Sequence, residues 1–111
     1  MYRTITTNQP QGWVYFLTNK WKTVLYIGVT NNLIKRVQEH RDKIYSTSFT
    51  AKYNCEYLVY YEGYQLIQEA IAREKQLKKW HRTWKNALVD KVNVEWKDLY
   101  GDLLEGKMLG E

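Results

Sequence analysis

The stretch 13-WVYFLTNKWKTVLYIG-28 decides how this chain folds. Its flanks, Val14 and Phe16 on one side and Val24 to Ile27 on the other, are β-branched, aromatic and aliphatic, types that suit a pleated, half-buried surface. Between them Thr18-Asn19-Lys20-Trp21-Lys22-Thr23 is polar enough to turn, so the stretch predicts a β-hairpin. Tyr15 and Tyr26 are expected at corresponding points of the two strands, where cross-strand packing is the ordinary use of such a pair. Gly28 is expected at a strand-to-helix corner, where the missing side chain leaves room for a ligand or another backbone.

Downstream, Thr30-Asn31-Asn32 offers N-caps, and Leu33, Val37 and Ile44 recur at helical spacing. A helix over about 32–44 is expected, with that stripe on the sheet. His40 falls on the stripe and Arg36 lies one turn before it. The segment 45-YSTSFTAKYN-54 reads as a hydroxyl-rich loop, and 56-EYLVYY-61 as a third strand ended by Gly63. A helix over about 65–79 should bury Ile67, Ala70, Ile71 and Leu77, with Glu74 in the middle of that face. A carboxylate on an apolar face must be paired, protonated or metal-bound. Trp80-His81-Arg82 breaks the pattern, Thr83 can cap a helix over about 84–92, and Trp96, Leu99 and Tyr100 suit a short helical clasp over the core. Hairpin, helix, strand and further helices make an α+β layout, in which helices must cover at least one face of three short strands.

The 111 residues suffice for one core but not two. Residues 1–11 read as a flexible lead-in, 12–104 as a single domain and 105–111 as a frayed tail. Aromatic richness, with five Trp and ten Tyr, excludes a disordered chain. No apolar run is long enough to span a membrane, and the first residues lack the apolar core of a signal peptide. The one cysteine, Cys55, permits no internal disulfide and is expected to pack at a strand start; a reducing, cytoplasmic setting fits. Net charge is +5, with Arg73, Lys75, Lys78, Lys79, Arg82 and Lys85 crowded together and acids gathered toward the C-terminus. That balance suits a polyanionic partner.

Val14-Tyr15, ten intervening residues and Tyr26-Ile27-Gly28 resemble the signature of the GIY-YIG nuclease superfamily, with Trp13-Val14-Tyr15 in place of the first triplet. The resemblance continues through Arg36, His40 and Glu74, and is strongest to small single-domain members. It implies a three-stranded antiparallel sheet flanked by helices, and a metal-dependent endonuclease acting on DNA. The family's metal-binding Glu lies on the helix matched here by Glu69-Ala70-Ile71-Ala72-Arg73-Glu74, so Glu74 is the implied ligand for Mg2+ (or Mn2+), a cation that keeps most of its waters. Arg36 matches the family's phosphate-holding Arg, and its planar fork suits phosphate oxygens, although a helical Arg is ordinarily just solvated. His40, where other members carry His or Tyr, could relay protons or bind phosphate, or simply pack.

Tyr15 and Tyr26 are implied at the floor of the pocket, Tyr26 to orient water and Tyr15 to position, or the reverse. Asn86 matches an Asn of some members and equally suits the first turn of a helix. Lys75, Lys78, Lys79, Arg82 and Lys85, with Lys35, Arg41 and Lys52 at the rim, are the expected phosphate contacts, which position a duplex without reading sequence. Trp80 and Trp84 are expected in the core. Val29 stands where the family's repair nucleases carry Lys. With no second domain expected, structure-selective or weakly selective cleavage in DNA repair or recombination is the natural role. The alternatives are a nucleic-acid-binding module that keeps the fold without turnover, and a nuclease that needs a protein partner for targeting.

Overall fold

The hairpin forms, and a third strand completes it. In the computed structural model, which describes residues 9–109, β1 (Gly12–Thr18) lies between β2 (Leu25–Thr30) and β3 (Tyr57–Tyr64), all antiparallel. Residues 1–8 of the expected lead-in and 110–111 of the expected tail lie outside the described part. The turn is built by Asn19, whose Oδ1 accepts from the Thr23 and Val24 amides at 2.9 and 3.1 Å, and by the Thr18 hydroxyl, which donates to the Val24 carbonyl at 2.7 Å.

Because side chains alternate across a strand, the central β1 feeds two cores. Tyr15 and Leu17 enter one cluster with Leu33, Val37, Leu58, Leu99 and Leu103; Val14 and Phe16 enter the other with Val59, Ala70, Leu77 and Val89. Helices therefore cover both faces. α1 (Leu33–Arg41) and α5 (Tyr100–Leu104) pack on the first, and α3 (Ile67–Lys78) and α4 (Arg82–Val92) on the second. No helix among the described residues is long and apolar enough to cross a membrane.

Several boundaries differ from expectation, each for a local reason. β2 runs on through Gly28 to Thr30, so Gly28 is not a corner. Tyr15 pairs with Gly28 and Tyr26 with Leu17, which puts the two phenols diagonally on one face rather than opposite each other. α1 starts as expected, with Asn32 Oδ1 capping the Lys35 amide at 3.2 Å, but ends at Arg41. Lys43 then turns left-handed (φ 53°) and Ile44 is exposed rather than packed. The expected loop contains a short helix α2 (Phe49–Lys52), capped by Ser48 Oγ accepting from the Ala51 amide.

β3 continues past Gly63. That glycine pairs with Trp13, and a Cβ there would lie 2.9 Å from the Trp13 ring and 2.8 Å from Pro10, so it admits a ring rather than ending a strand. On α3, Ala70 and Leu77 are buried, Glu74 shares their face, and Ile71 has rotated into solvent. α4 begins at Arg82 with His81 at the cap, so Thr83 lies inside it. Trp80 packs on the second cluster beneath Arg73, whereas Trp84 is exposed and not a core anchor. Cys55 is fully buried just before β3, and burial followed by the Glu56 charge pushes its thiol up to about 11, an inert packing residue. At the other end, Met108 and Leu109 pack on the first cluster, and the Leu109 amide donates to Tyr61 Oη at 2.7 Å.

Arg73 serves the fold. Its guanidinium grips Glu62 at 2.9 and 3.1 Å, and Tyr60 and Tyr64 donate to the same carboxylate at 2.5 and 2.7 Å. Burial alone would raise the Glu62 pKa, but these donors outweigh it and hold it below the usual carboxylate range. A depressed carboxylate stabilises above its unfolded pKa, so this contribution is present at neutral pH and is lost as pH falls below about 4. Glu62→Gln strands the Arg73 charge and should cost about 2 kcal/mol at pH 7, less than for a fully buried pair because Arg73 retains some solvent. Melting temperatures at pH 7 and pH 3 check this: the gap between wild type and variant should close at the lower pH.

Candidate active site

The sequence places a tyrosine on the central strand facing α1, and the fold makes room for it. Tyr15 is 1% exposed and crosses over Gly28 of the neighbouring strand; a Cβ on Gly28 would overlap the ring's Cζ and Oη and sit 2.8 Å from Cε1. Over the vacated position the Tyr15 hydroxyl reaches His40 Nε2 at 2.8 Å. His40 Nδ1 lies 2.8 Å from Thr50 Oγ1, and Thr50 lies 3.2 Å from Ser48 Oγ. A polar chain, buried at Tyr15 and Thr50 and partly buried at His40 and Ser48, thus runs from β1 through α1 to α2. Every member is satisfied, as a low-dielectric interior requires.

Tyr26 stands beside this chain, its ring centroid 6.2 Å from Tyr15 and 5.5 Å from His40. On its other side Phe49 stacks at 6.1 Å with ring planes 28° apart. Burial, then the neighbouring Tyr26, pushes the Tyr15 phenol far above its ordinary range, so Tyr15 stays protonated at any working pH. Burial and then the Arg36 charge hold the His40 imidazole below its ordinary value. It is therefore neutral at pH 7, with one ring nitrogen donating and one accepting.

Arg36 projects from α1 toward solvent, its Nε 3.2 Å from Glu39, and borders a small pocket with Lys35, Asn32 and Tyr45. Its charge bears on both Tyr15 and His40. Glu74 comes from the opposite layer. Its side chain is 14% exposed and its carboxylate lies 2.9 Å from Lys78 Nζ, one turn along α3. Lys78 and Lys85 line a cleft of about 340 Å³ with Leu25, Tyr26, Ile27 and Phe49, along the open edge of β2. The structure therefore gathers Tyr15, Tyr26 and His40 directly and sets Arg36 at their rim, whereas Glu74 stays on the opposite layer, its partner Lys78 lining the cleft beside Tyr26.

The other expected residues divide. Lys75 is exposed on α3 and Lys79 at its C-cap, and Lys52 lies over the Tyr53 ring at 5.4 Å. Arg41 instead grips Asp98 at 2.6 Å and the Glu56 carbonyl at 3.0 Å, holding α1 to the segment before α5. Arg82 donates to the Lys22 and Thr23 carbonyls and to Asn86 Oδ1, tying α4 to the hairpin turn, so Asn86 has a structural partner. Sequence reasoning missed Thr50 and Phe49. The one signal was a hydroxyl-rich stretch with Ser48 three residues before Ala51, which is capping spacing.

The GIY-YIG catalytic domain matches residues 11–87. A UPF0213 protein of Syntrophus aciditrophicus (strain SB) is 36% identical over 85 residues, spanning 77% of this chain and 95% of that protein. No solved structure matches. With the signature tyrosines, Arg36, His40 and Glu74 all inside the matched segment, the chain belongs to the GIY-YIG family of nuclease-type catalytic domains.

Proposed function

We propose that the protein is a small, Mg2+-dependent endonuclease that hydrolyses DNA phosphodiester bonds with structural or weak selectivity. The observation that carries this reading is the Tyr15–His40–Thr50 chain, for which β2 gives up a side chain at Gly28. Packing alone would be served better by apolar groups at these positions.

The donor set decides how a metal would be held. Among the described residues no group of three His, Cys, Asp or Glu could hold an ion, so an ion here would keep few protein ligands, and we assign Glu74, on the resemblance, as its single hard oxygen donor. That donor fits Mg2+ or Mn2+, which keep most of their waters, and fits Zn2+ poorly. When bound, such an ion supplies positive charge opposite the developing charge of the cleaved phosphodiester. The chain's own residues do the rest. Tyr26, at the mouth, orients the attacking water through its hydroxyl. Tyr15, kept protonated, and neutral His40 hold that hydroxyl's surroundings fixed and offer a proton path to Thr50. Arg36 clamps the phosphate oxygens.

The Arg36–Glu39 and Glu74–Lys78 pairs favour a second reading, a binding module without turnover, because both acting groups are engaged within their own helices. Such i,i+3 and i,i+4 pairs are worth only about 0.2–0.5 kcal/mol when one partner is solvated, as Arg36 and Lys78 are, so substrate or metal readily displaces them. Purified protein assayed on branched, single-stranded and duplex DNA, with Mg2+ or EDTA, separates the readings. Metal-dependent cleavage supports the enzyme; binding without cleavage of any substrate refutes it.

Arg36→Ala should lower cleavage about 100-fold or more while melting as wild type, since the side chain is solvated and outside both cores. Lys at the position should restore little, lacking the planar fork. Normal cleavage by Arg36→Ala would remove it from the site. Binding of two unrelated DNA sequences should weaken in parallel as salt rises, because Lys75, Lys78, Lys79 and Lys85 meet phosphates. A large preference for one sequence, or affinity independent of salt, would refute that surface.

A further inference from the structure

We propose that Phe49, with Tyr53 packed against it, and the cleft that Phe49 lines form a nucleobase-stacking subsite that takes an unstacked base of a single-stranded segment of DNA. The inference rests on the nuclease reading only for what happens to the neighbouring phosphate.

Of the four residues of α2, Thr50 alone needs to be buried, and it serves His40. Phe49 on the same helix leaves 48% of its surface in water and Tyr53, just after it, 41%. Their rings lie 4.7 Å apart and tilted by 48°, and Phe49 in turn stacks on Tyr26 at 28°. Three aromatic rings thus lead from solvent to the hydroxyl placed to orient water. Two of them forgo much of the burial that ordinarily keeps such side chains inside.

The shape and charge of the neighbourhood specify the occupant. The cleft of about 340 Å³ is at the small end of the range for small-molecule sites, with Leu25 and Ile27 of the open sheet edge and Phe49 as apolar lining. Lys78 and Lys85 line it too, and Lys52 sits over Tyr53, so cations stand beside the apolar surface as a base with its flanking phosphates requires. The Lys85 amine is held below its usual range by burial and by the charges of Arg82 and Lys78, crowding that a phosphate would relieve. Duplex DNA could satisfy the lysines but not the rings, because the faces of paired bases are covered by their neighbours. An unpaired base offers a π-face of any sequence.

The test uses the full chain in EDTA, so that no turnover is needed. A single-stranded oligonucleotide carrying 2-aminopurine should show fluorescence quenching on binding, and a duplex of the same sequence should show none. Phe49→Leu, which keeps apolar bulk without an aromatic face, should weaken single-strand binding about tenfold and leave duplex binding unchanged. Phe49→Trp should bind the single strand as tightly as wild type. Equal weakening of both substrates by Phe49→Leu, or no weakening of either, overturns the subsite. Cleavage of the same oligonucleotides in Mg2+ is read separately. Phe49-dependent quenching without any cleavage leaves the subsite standing and refutes the nuclease reading. Cleavage indifferent to Phe49 and to strandedness does the reverse.

Discussion

Gly28→Ala should abolish cleavage and lower stability by about 1–3 kcal/mol, a melting shift on the order of 5–15 °C for a domain of this size. The methyl group has nowhere to go. It would overlap the end of the Tyr15 phenol, and Tyr15 is directly paired with Gly28 across the β1–β2 ladder. The ring cannot swing aside, because Leu33 and Val37 of α1 fill the same cluster and Tyr15 is itself almost wholly buried. Any displacement that relieves the overlap also pulls the hydroxyl off His40, so stability and activity should fall together. Truncating the obstacle uncouples them. Tyr15→Leu combined with Gly28→Ala should regain much of the lost stability and none of the cleavage, a non-additive pair of the kind expected for residues in contact. A Gly28→Ala protein that melts and cuts like wild type would show that β2 adjusts freely, and the packing account of this site would be wrong.

This pair also shows what could be read from the sequence and what could not. The strands of the hairpin follow from local alternation and turn chemistry, and Asn19 organises the turn as its side chain predisposes it to do. The α+β layout follows from the order of apolar periods. Register does not, because a shift of two residues preserves which face each side chain occupies and leaves the hydrophobic pattern intact. The sequence therefore puts Tyr15 and Tyr26 at corresponding points, whereas the observed register offsets them by two residues on one face. The glycines misled for a related reason: Gly28 and Gly63 read as punctuation in one dimension, yet each makes space for a ring on the adjacent strand, a partner visible only in three. Ile71 falls at the edge of the apolar stripe and Trp84 is expected inside, yet both are exposed, because periodicity fixes a helix face without fixing how far the neighbouring layer extends over it. Arg41 and Arg82, counted with the DNA-facing cations, are held by partners 57 and about 60 positions away in sequence. No local pattern announces such pairs.

Glu74→Gln should abolish cleavage, by at least about a thousandfold, while leaving the melting temperature equal to or above that of wild type. Two accounts of this carboxylate make opposite forecasts. As half of a structural ion pair in the interior, its neutralisation would strand a cation and cost about 3–5 kcal/mol. The observed partner does not meet that description: Lys78 is 52% exposed and follows one turn along the same helix, so the pair contributes only tenths of a kcal/mol and the amine returns to water if released. What remains is a carboxylate with little solvent and one weak partner on the face that buries Ala70 and Leu77, an arrangement that the fold gains nothing by keeping. Glu62 supplies the internal comparison. It is similarly hidden, but four side-chain hydrogen bonds from Arg73, Tyr60 and Tyr64 make it structural. Glu62→Gln should melt lower and still cut; Glu74→Gln should melt as wild type and not cut. Added Mg2+ should raise the melting temperature of wild type and of Glu62→Gln but not of Glu74→Gln, a readout of ion binding that needs no substrate. If Glu74→Gln melts far lower yet cleaves DNA, the carboxylate belongs to the core, and the assignment of the site falls with it.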